Sequence, residues 1–227
     1  MRERYARPGL LEVDVPANPL ELFAAWFVDA VGAGLPEPNA MVLATVSAEG
    51  VPEARTVLLK GYAGSGLRFF TNTASAKGAA LSSHPVAALV FPWHSLERQV
   101  RVTGEVLPIA VEEVAAYFAS RPRESQLGAW ASPQSQVVGS REELDGLLTA
   151  AEERFPEGTE VPVPPSWGGY LVVPSAWEFW AGRPGRMHDR LRYRRTDSAD
   201  PTPASVTGVT DVTDVSTAPW LLERLAP

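Results

Sequence analysis

Cysteine is absent from this 227-residue chain, which rules out a disulfide framework, a thiolate metal site and a thiol nucleophile. The three histidines, His84, His94 and His188, are too scattered to suggest a metal site. Lysine is nearly absent as well: of 20 Lys and Arg residues, only Lys60 and Lys77 are lysine. No apolar run is long enough to span a bilayer, and no signal-peptide pattern opens the chain. A net charge of −7 argues against a general binder of nucleic acid or membrane surfaces, while local basic pockets for small anions stay open. The reading is a cytoplasmic protein.

What is present points to a packed core. The chain is 45% hydrophobic, with seven Trp and eight Phe, and its length suits one large domain or two small ones. Residues 1–17 lack periodicity and read as an N-terminal arm, with 18–227 as a single domain. Asn18-Pro19 is a cap followed by proline at the first helical position. Leu22, Phe23, Trp26, Phe27 and Ala30 then recur at helical spacing until Gly32 and Gly34. From Met41 the period changes to that of strands: 41–46, 54–59 and 67–71 are separated by turn residues, and 86–91 and 98–107 follow. Ser75 caps a short helix to Ser82, 111–120 and 123–130 are helical, and Ser140-Arg-Glu-Glu143 is a capping box for a helix to Phe155. Strands are expected at 170–173 and 177–180, and a final hairpin at 191–194 and 220–224. Between the last two, 196–219 is rich in Thr, Asp, Ser and Pro and reads as a flexible loop. The fold class is therefore mainly β with inserted helices (α+β), an antiparallel and nearly closed barrel.

Three groups carry chemistry. Arg55, Lys60, Thr71, Ser75 and Lys77 fall at three consecutive strand–loop junctions, where two ammonium groups and several hydroxyls suit a phosphate dianion. Tyr117 and Arg121 are four apart on one helix face, and Pro122 leaves Arg121, Arg123 and Ser125 at a helix end. By spacing alone, a solvated helix terminus is the first reading of this second group. Arg186, His188 and Arg190 alternate after Trp180, so an extended backbone sends them to one side. Two guanidinium planes, an imidazole and an indole suit an anionic aromatic ligand.

Seven motifs then appear in order: Arg55-Thr56-Val57-Leu58-Leu59-Lys60, Phe91-Pro-Trp-His-Ser-Leu-Glu-Arg-Gln-Val100, Ser120-Arg-Pro-Arg-Glu-Ser-Gln-Leu-Gly-Ala-Trp-Ala-Ser132, Trp167-Gly-Gly169, Glu178-Phe-Trp180, Arg186-Met-His-Asp-Arg190 and Glu223-Arg-Leu-Ala-Pro227. Together they resemble the pyridoxine/pyridoxamine 5′-phosphate oxidase family, across nearly the whole chain except 196–219. The resemblance implies a dimeric split β-barrel with FMN in clefts between subunits. It implies FMN contacts from Arg55 to Lys60, and from Phe70, Thr71, Lys77, Gln99, Gln134, Ser135, Trp180 and Arg190. Substrate would be held by Lys60, Tyr117, Arg121, Ser125, Arg186 and His188, the last two clamping the pyridine ring, with no obligatory side-chain base.

The implied activity is oxidation of pyridoxamine and pyridoxine 5′-phosphate to pyridoxal 5′-phosphate. Dioxygen would be the acceptor, hydrogen peroxide the by-product, and ammonia would leave from the amine. Arg2 to Tyr5 would form a lid, although they match the family only loosely, and Ala76 stands where the family often has a basic residue. A phenazine-type oxidase, a deazaflavin-dependent reductase of the same barrel, or a non-catalytic flavin- or pyridoxal-phosphate-binding module are the alternatives.

Overall fold

The computed structural model describes residues 9–196 and 219–227. The lid expected at Arg2–Tyr5 lies outside these, as does all of the 196–219 loop except its two ends, where Thr196 N donates to Pro219 O at 3.1 Å. The elements run α1 Pro19–Gly32, β1 Ala40–Val46, β2 Pro52–Leu58, β3 Gly61–Ala63, β4 Gly66–Asn72, α2 Ala76–Ser83, β5 Val86–Trp93 and β6 Arg98–Pro108. They continue with α3 Val111–Ala119, α4 Arg123–Ala131, α5 Arg141–Arg154, β7 Trp167–Ala181, β8 Asp189–Arg195 and β9 Trp220–Arg224. The nine strands of the described residues join one sheet in the order β2-β1-β5-β6-β7-β4-β3, with β8 on β7 and β9 on β8, and these pairings are antiparallel. No helix among the described residues is long and apolar enough to cross a membrane.

Local chemistry explains most boundaries. Asn18 Oδ1 accepts from Leu20 N at 2.9 Å to start α1, and Gly34 at φ 69° turns the chain away from its end. The stripe Leu22, Phe23, Trp26 and Ala30 is buried against the sheet. Phe23 is fully buried, with ring centroids 5.0 Å from Phe91 and 5.3 Å from Trp177. Burial of one such side chain is worth roughly 1.5–3 kcal/mol. β6 alternates core residues Val100, Val102 and Val106 with exposed ones, as period-2 patterning requires.

Two expectations are corrected. The stretches 170–173 and 177–180 belong to one continuous strand, Trp167–Ala181. Its register shift against β6 between Thr103 and Gly104 absorbs Ser175, which with Pro174 looks like a break in the sequence. The turn after Lys60 contains a further strand, Gly61–Ala63, paired with Gly66–Arg68.

The described part of the N-terminal arm is docked. Leu10 is 8% exposed, Tyr193 Oη donates to Pro16 O at 2.7 Å, and Arg224 grips both Glu12 carboxylate oxygens at 2.7 Å. The hydrogen bonds from Arg224 hold the Glu12 carboxyl at about 2, below its ordinary 4.5. A depressed folded-state value means stabilisation that is present above 4.5 and disappears as pH falls towards 2. Glu12→Gln is therefore expected to lower the thermal midpoint most above about pH 5, with the gap from wild type closing on acidification. A pH-independent gap in melting scans contradicts the assignment.

Candidate functional site

The first cluster forms where β4 meets α2. Thr71 and Asn72 end β4 buried, and Ser75 caps α2, its Oγ donating to Asn72 O at 2.6 Å and accepting from Gly78 N at 3.4 Å. Lys77, 9% exposed, reaches Gln134 Oε1 at 2.8 Å and Ser75 Oγ at 3.2 Å. Thr71 Oγ1 donates to the same Gln134 oxygen at 3.3 Å. Arg55 on β2 stands nearby, bonded to Thr45 Oγ1 and to Glu53 at 2.6 Å each. Burial, and then the positive charge of Arg55, push the Lys77 ammonium below its ordinary value. Arg55 is paired with Glu53, whereas Lys77 meets the neutral oxygens of Ser75 and Gln134, so its ammonium makes the pocket receptive to an anion. Beside Gln134 opens a cavity of about 410 Å³ walled by Asn72, Trp130, Leu147 and Pro164.

The second cluster joins β4, α3 and the first turn of β7. Phe70 points out of β4, and its ring stacks on Tyr117 at 3.9 Å and 13°. Phe70 is seated on Gly169, its register partner, where a Cβ would meet the ring at 2.7 Å. Lys60 Nζ lies 5.9 Å from the Tyr117 centroid. Arg121 follows α3 with its guanidinium 4.0 Å over Trp167 and 5.5 Å from Phe118. Its buried Nη1 and the buried Trp167 Nε1 have no hydrogen-bond partner among the described residues. Burial pulls Arg121 below its ordinary value, partly offset by Tyr117. An orphaned, stacked guanidinium is costly unless an anion meets it.

The third cluster is a cross-strand row. Gln99, Trp180 and Arg190 are direct register partners on β6, β7 and β8, facing away from the core residues Val100, Phe179 and Leu191. Glu178 braces the row, accepting from Arg190 Nε at 2.9 Å and Arg101 Nη1 at 3.1 Å. His188 packs 4.8 Å from Trp180. Its Nδ1 accepts from Arg183 N at 3.1 Å, which leaves Nε2 as the protonated nitrogen aimed elsewhere. The expectation of simple alternation from Arg186 to Arg190 is corrected. Pro184–Arg186 is a 3-10 turn in which Gly185 and Arg186 both adopt left-handed φ, 68° and 65°, and β8 begins at Asp189. Arg186 is exposed on that turn.

Not every expected residue joins a cluster. Thr56 is exposed on β2, Val57 and Leu58 are half-buried, and Leu59 is core. Ser125 begins α4 and Ser135 holds φ 72° in the loop after it. Arg123 is structural: it donates to Phe155 O, Pro156 O and Thr159 O, closing the end of α5. The residues missed by reading residue types are Thr45, Trp167 and Glu178; the latter two lie in quoted motifs, but Thr45 carries no signal beyond its register with Glu53.

Two of the clusters lie towards opposite ends of one strand: Phe70 of the second cluster pairs with Gly169, and the third row is built on Trp180 further along β7. Arg55 of the first cluster lies in the register row Leu43, Leu89 and Val102, the last on the same strand as Gln99.

Comparison with known proteins bears on this arrangement. The profile described as pyridoxamine 5′-phosphate oxidase matches residues 27–154. A second, described as the pyridoxine 5′-phosphate oxidase C-terminal dimerisation region, matches 167–227. The pyridoxine/pyridoxamine 5′-phosphate oxidase of a Nocardioides species is 50% identical over 227 residues, covering 100% of this chain and 96% of that protein. The protein of the same name from Thermosynechococcus vestitus is 54% identical over 195 residues, 86% of this chain and 92% of its own. Among solved structures, PhzG from Burkholderia lata in complex with tetrahydrophenazine-1-carboxylic acid superposes with a TM-score of 0.81 at 26% identity, covering 96% of this chain and 98% of that one. An FMN-binding protein from Nostoc punctiforme related to pyridoxamine 5′-phosphate oxidase reaches 0.66 at 19% identity, over 94% of this chain and 100% of that one, a likeness of fold.

The strain between Lys77 and its surroundings yields an expectation. Lys77→Met should raise the thermal midpoint of the ligand-free protein, because it removes a desolvated cation beside Arg55. It should also weaken binding of a phosphorylated ligand at least about tenfold. Unchanged affinity by fluorescence titration contradicts the anion-pocket assignment.

Proposed function

The chain belongs to the pyridoxamine 5′-phosphate oxidase family, and from that premise we propose that it oxidises pyridoxamine 5′-phosphate and pyridoxine 5′-phosphate to pyridoxal 5′-phosphate as an FMN-dependent homodimer of the cytoplasm. The observation that carries the reading is the pair of cationic pockets, in which Lys77 and Arg121 meet no carboxylate among the described residues, together with an aromatic row towards the far end of β7.

The residues present suit the cofactor. Lys77, Arg55, Thr71 and Ser75 form a cation-and-hydroxyl set fitted to the FMN phosphate. Gln99 and Arg190 supply an amide and a guanidinium beside the Trp180 indole, fitted to the polar edge of a flat heterocycle. When bound, FMN supplies the two-electron acceptor that takes hydride from the substrate carbon C4′ and is reoxidised by dioxygen to give hydrogen peroxide.

The rest is positioning. Arg121, Tyr117, Ser125 and Lys60 hold the substrate phosphate; Arg121 is already stacked on Trp167 and half-buried, so little reorganisation is needed when the anion arrives. Arg186 covers the pyridine ring. His188 donates its Nε2–H to a ring substituent, a direction fixed by the Arg183 N–H on Nδ1. No side-chain base is required, because the substrate's own nitrogen or oxygen lone pair drives hydride loss.

Hydride transfer needs reacting atoms about 3–3.5 Å apart, whereas along β7 the row at Trp180 is set apart from the Phe70–Tyr117–Arg121 cluster at Gly169. Each complete site therefore uses the pockets of one subunit and the row of its partner, in keeping with the family's C-terminal dimerisation region. The pocket around Arg121 favours a phosphorylated substrate over a phenazine carboxylate.

Anaerobic mixing of the FMN-loaded protein with pyridoxamine 5′-phosphate should bleach the flavin absorbance, with colour returning on aeration. Persistent colour contradicts the function. Arg186→Leu should cut kcat/KM at least about tenfold, and Lys60→Arg should raise KM with little change in kcat. Wild-type constants in both variants remove these two assignments.

A further inference from the structure

Two of the family-like motifs contain residues that the proposed chemistry leaves without a task, Asp189 in Arg186–Arg190 and Arg224 in Glu223–Pro227. The structure brings them together. Asp189 Oδ1 accepts from Arg224 Nη1 at 2.7 Å, and its Oδ2 accepts from Leu10 N at 3.0 Å, with Arg183 Nε at 3.6 Å. The Asp189 side chain is 15% exposed. Arg224 uses its remaining donors on Glu12 Oε1 and Oε2, 2.7 Å each, and on Leu10 O at 2.8 Å. Three chain segments remote in sequence thus converge on one carboxylate. Gly9 leaves the space they need: a Cβ there would lie 2.9 Å from both Arg183 Nη1 and Asp189 Oδ2.

We propose that Asp189 and Arg224 are positioning residues that lock the ring-binding turn in its working shape. Asp189 follows His188 directly, and Arg183, the residue whose backbone N–H fixes the His188 imidazole, approaches the Asp189 carboxylate with its side chain. Both ends of the turn are therefore tied to the same charge. The tie is needed because Arg186 holds a left-handed backbone, which is strained for a non-glycine residue and relaxes unless the surroundings impose it. Arg224 makes this possible: it neutralises a largely buried carboxylate and spends its fork on two further partners, a task lysine cannot perform with one ammonium. Neither residue is assigned a contact with FMN or substrate; they act through Arg186 and His188.

The inference rests on the proposed oxidase reading, and its test separates the two. Asp189→Asn and Arg224→Gln are compared with wild type as FMN-loaded protein, by steady-state kinetics with pyridoxamine 5′-phosphate, by FMN titration and by hydrogen exchange of the peptide 183–190. Backbone exchange of that peptide should quicken at least about tenfold, with strands β5 and β6 unchanged. KM should rise at least about tenfold while kcat falls less and the FMN dissociation constant stays within about threefold. A role confined to general stability would instead weaken FMN and substrate together. Unchanged exchange, or faster exchange with KM within about twofold of wild type, overturns the proposal. If Asp189→Asn does not fold, Arg224→Gln, altered at a side chain 36% exposed, decides alone. Wild-type protein that exchanges normally but never oxidises the substrate defeats the oxidase reading, and the exchange comparison still judges the lock.

Discussion

The length of one strand governs this molecule. β7 runs unbroken from Trp167 to Ala181, pairing with β4 through its first half and with β8 through its second. The Phe70–Tyr117–Arg121 cluster belongs to the first half and the aromatic row to the second. In the proposed dimer, a second copy brings its row to the first copy's pockets, in keeping with the C-terminal dimerisation region. Symmetry then gives two equal sites, since what one subunit lends it also receives.

The pockets carry a cost while empty. Lys77 is desolvated beside Arg55, and Arg121 is stacked on Trp167 with a buried nitrogen unpartnered among the described residues. Such arrangements lower the stability of the ligand-free chain and are relieved when phosphate arrives. Arg186 and Ser135, both assigned to the proposed site, hold positive φ, a backbone state uncommon outside glycine, and Glu37 and Glu97 do so in other turns. Unpaired charge therefore collects where ligands are proposed to bind.

Much of this was legible in the residues. Asn18-Pro19, Ser75 and Ser140 mark their helix starts because capping is local chemistry, and the period change at Met41 marks the first strand. The grouping of Lys77 with Thr71 and Ser75, and of Tyr117 with Arg121, follows from spacing. What the sequence hides is non-local. Pro174 and Ser175 look like a strand break, yet Pro174 keeps its pairing with Gly104 and Ser175 is absorbed as a bulge in β7 itself. Alternation misplaces Arg186 because Gly185 bends the chain into a left-handed turn. The partners of Arg55, Arg121 and Arg190, namely Thr45, Trp167 and Glu178, are set by sheet register and helix packing rather than by any pattern along the chain.

The account stands or falls on whether each site is shared between two chains. Arg121→Ala and Arg186→Leu disable opposite ends of β7, and each homodimer should be nearly inactive. Unfolding and refolding the two together yields mixed dimers in which one site carries both changes and the other neither. Sharing predicts recovery of about a quarter of wild-type activity in a random equimolar mixture. If the mixture stays as inactive as its parents, each site is built within a single chain and the arrangement derived from β7 is wrong.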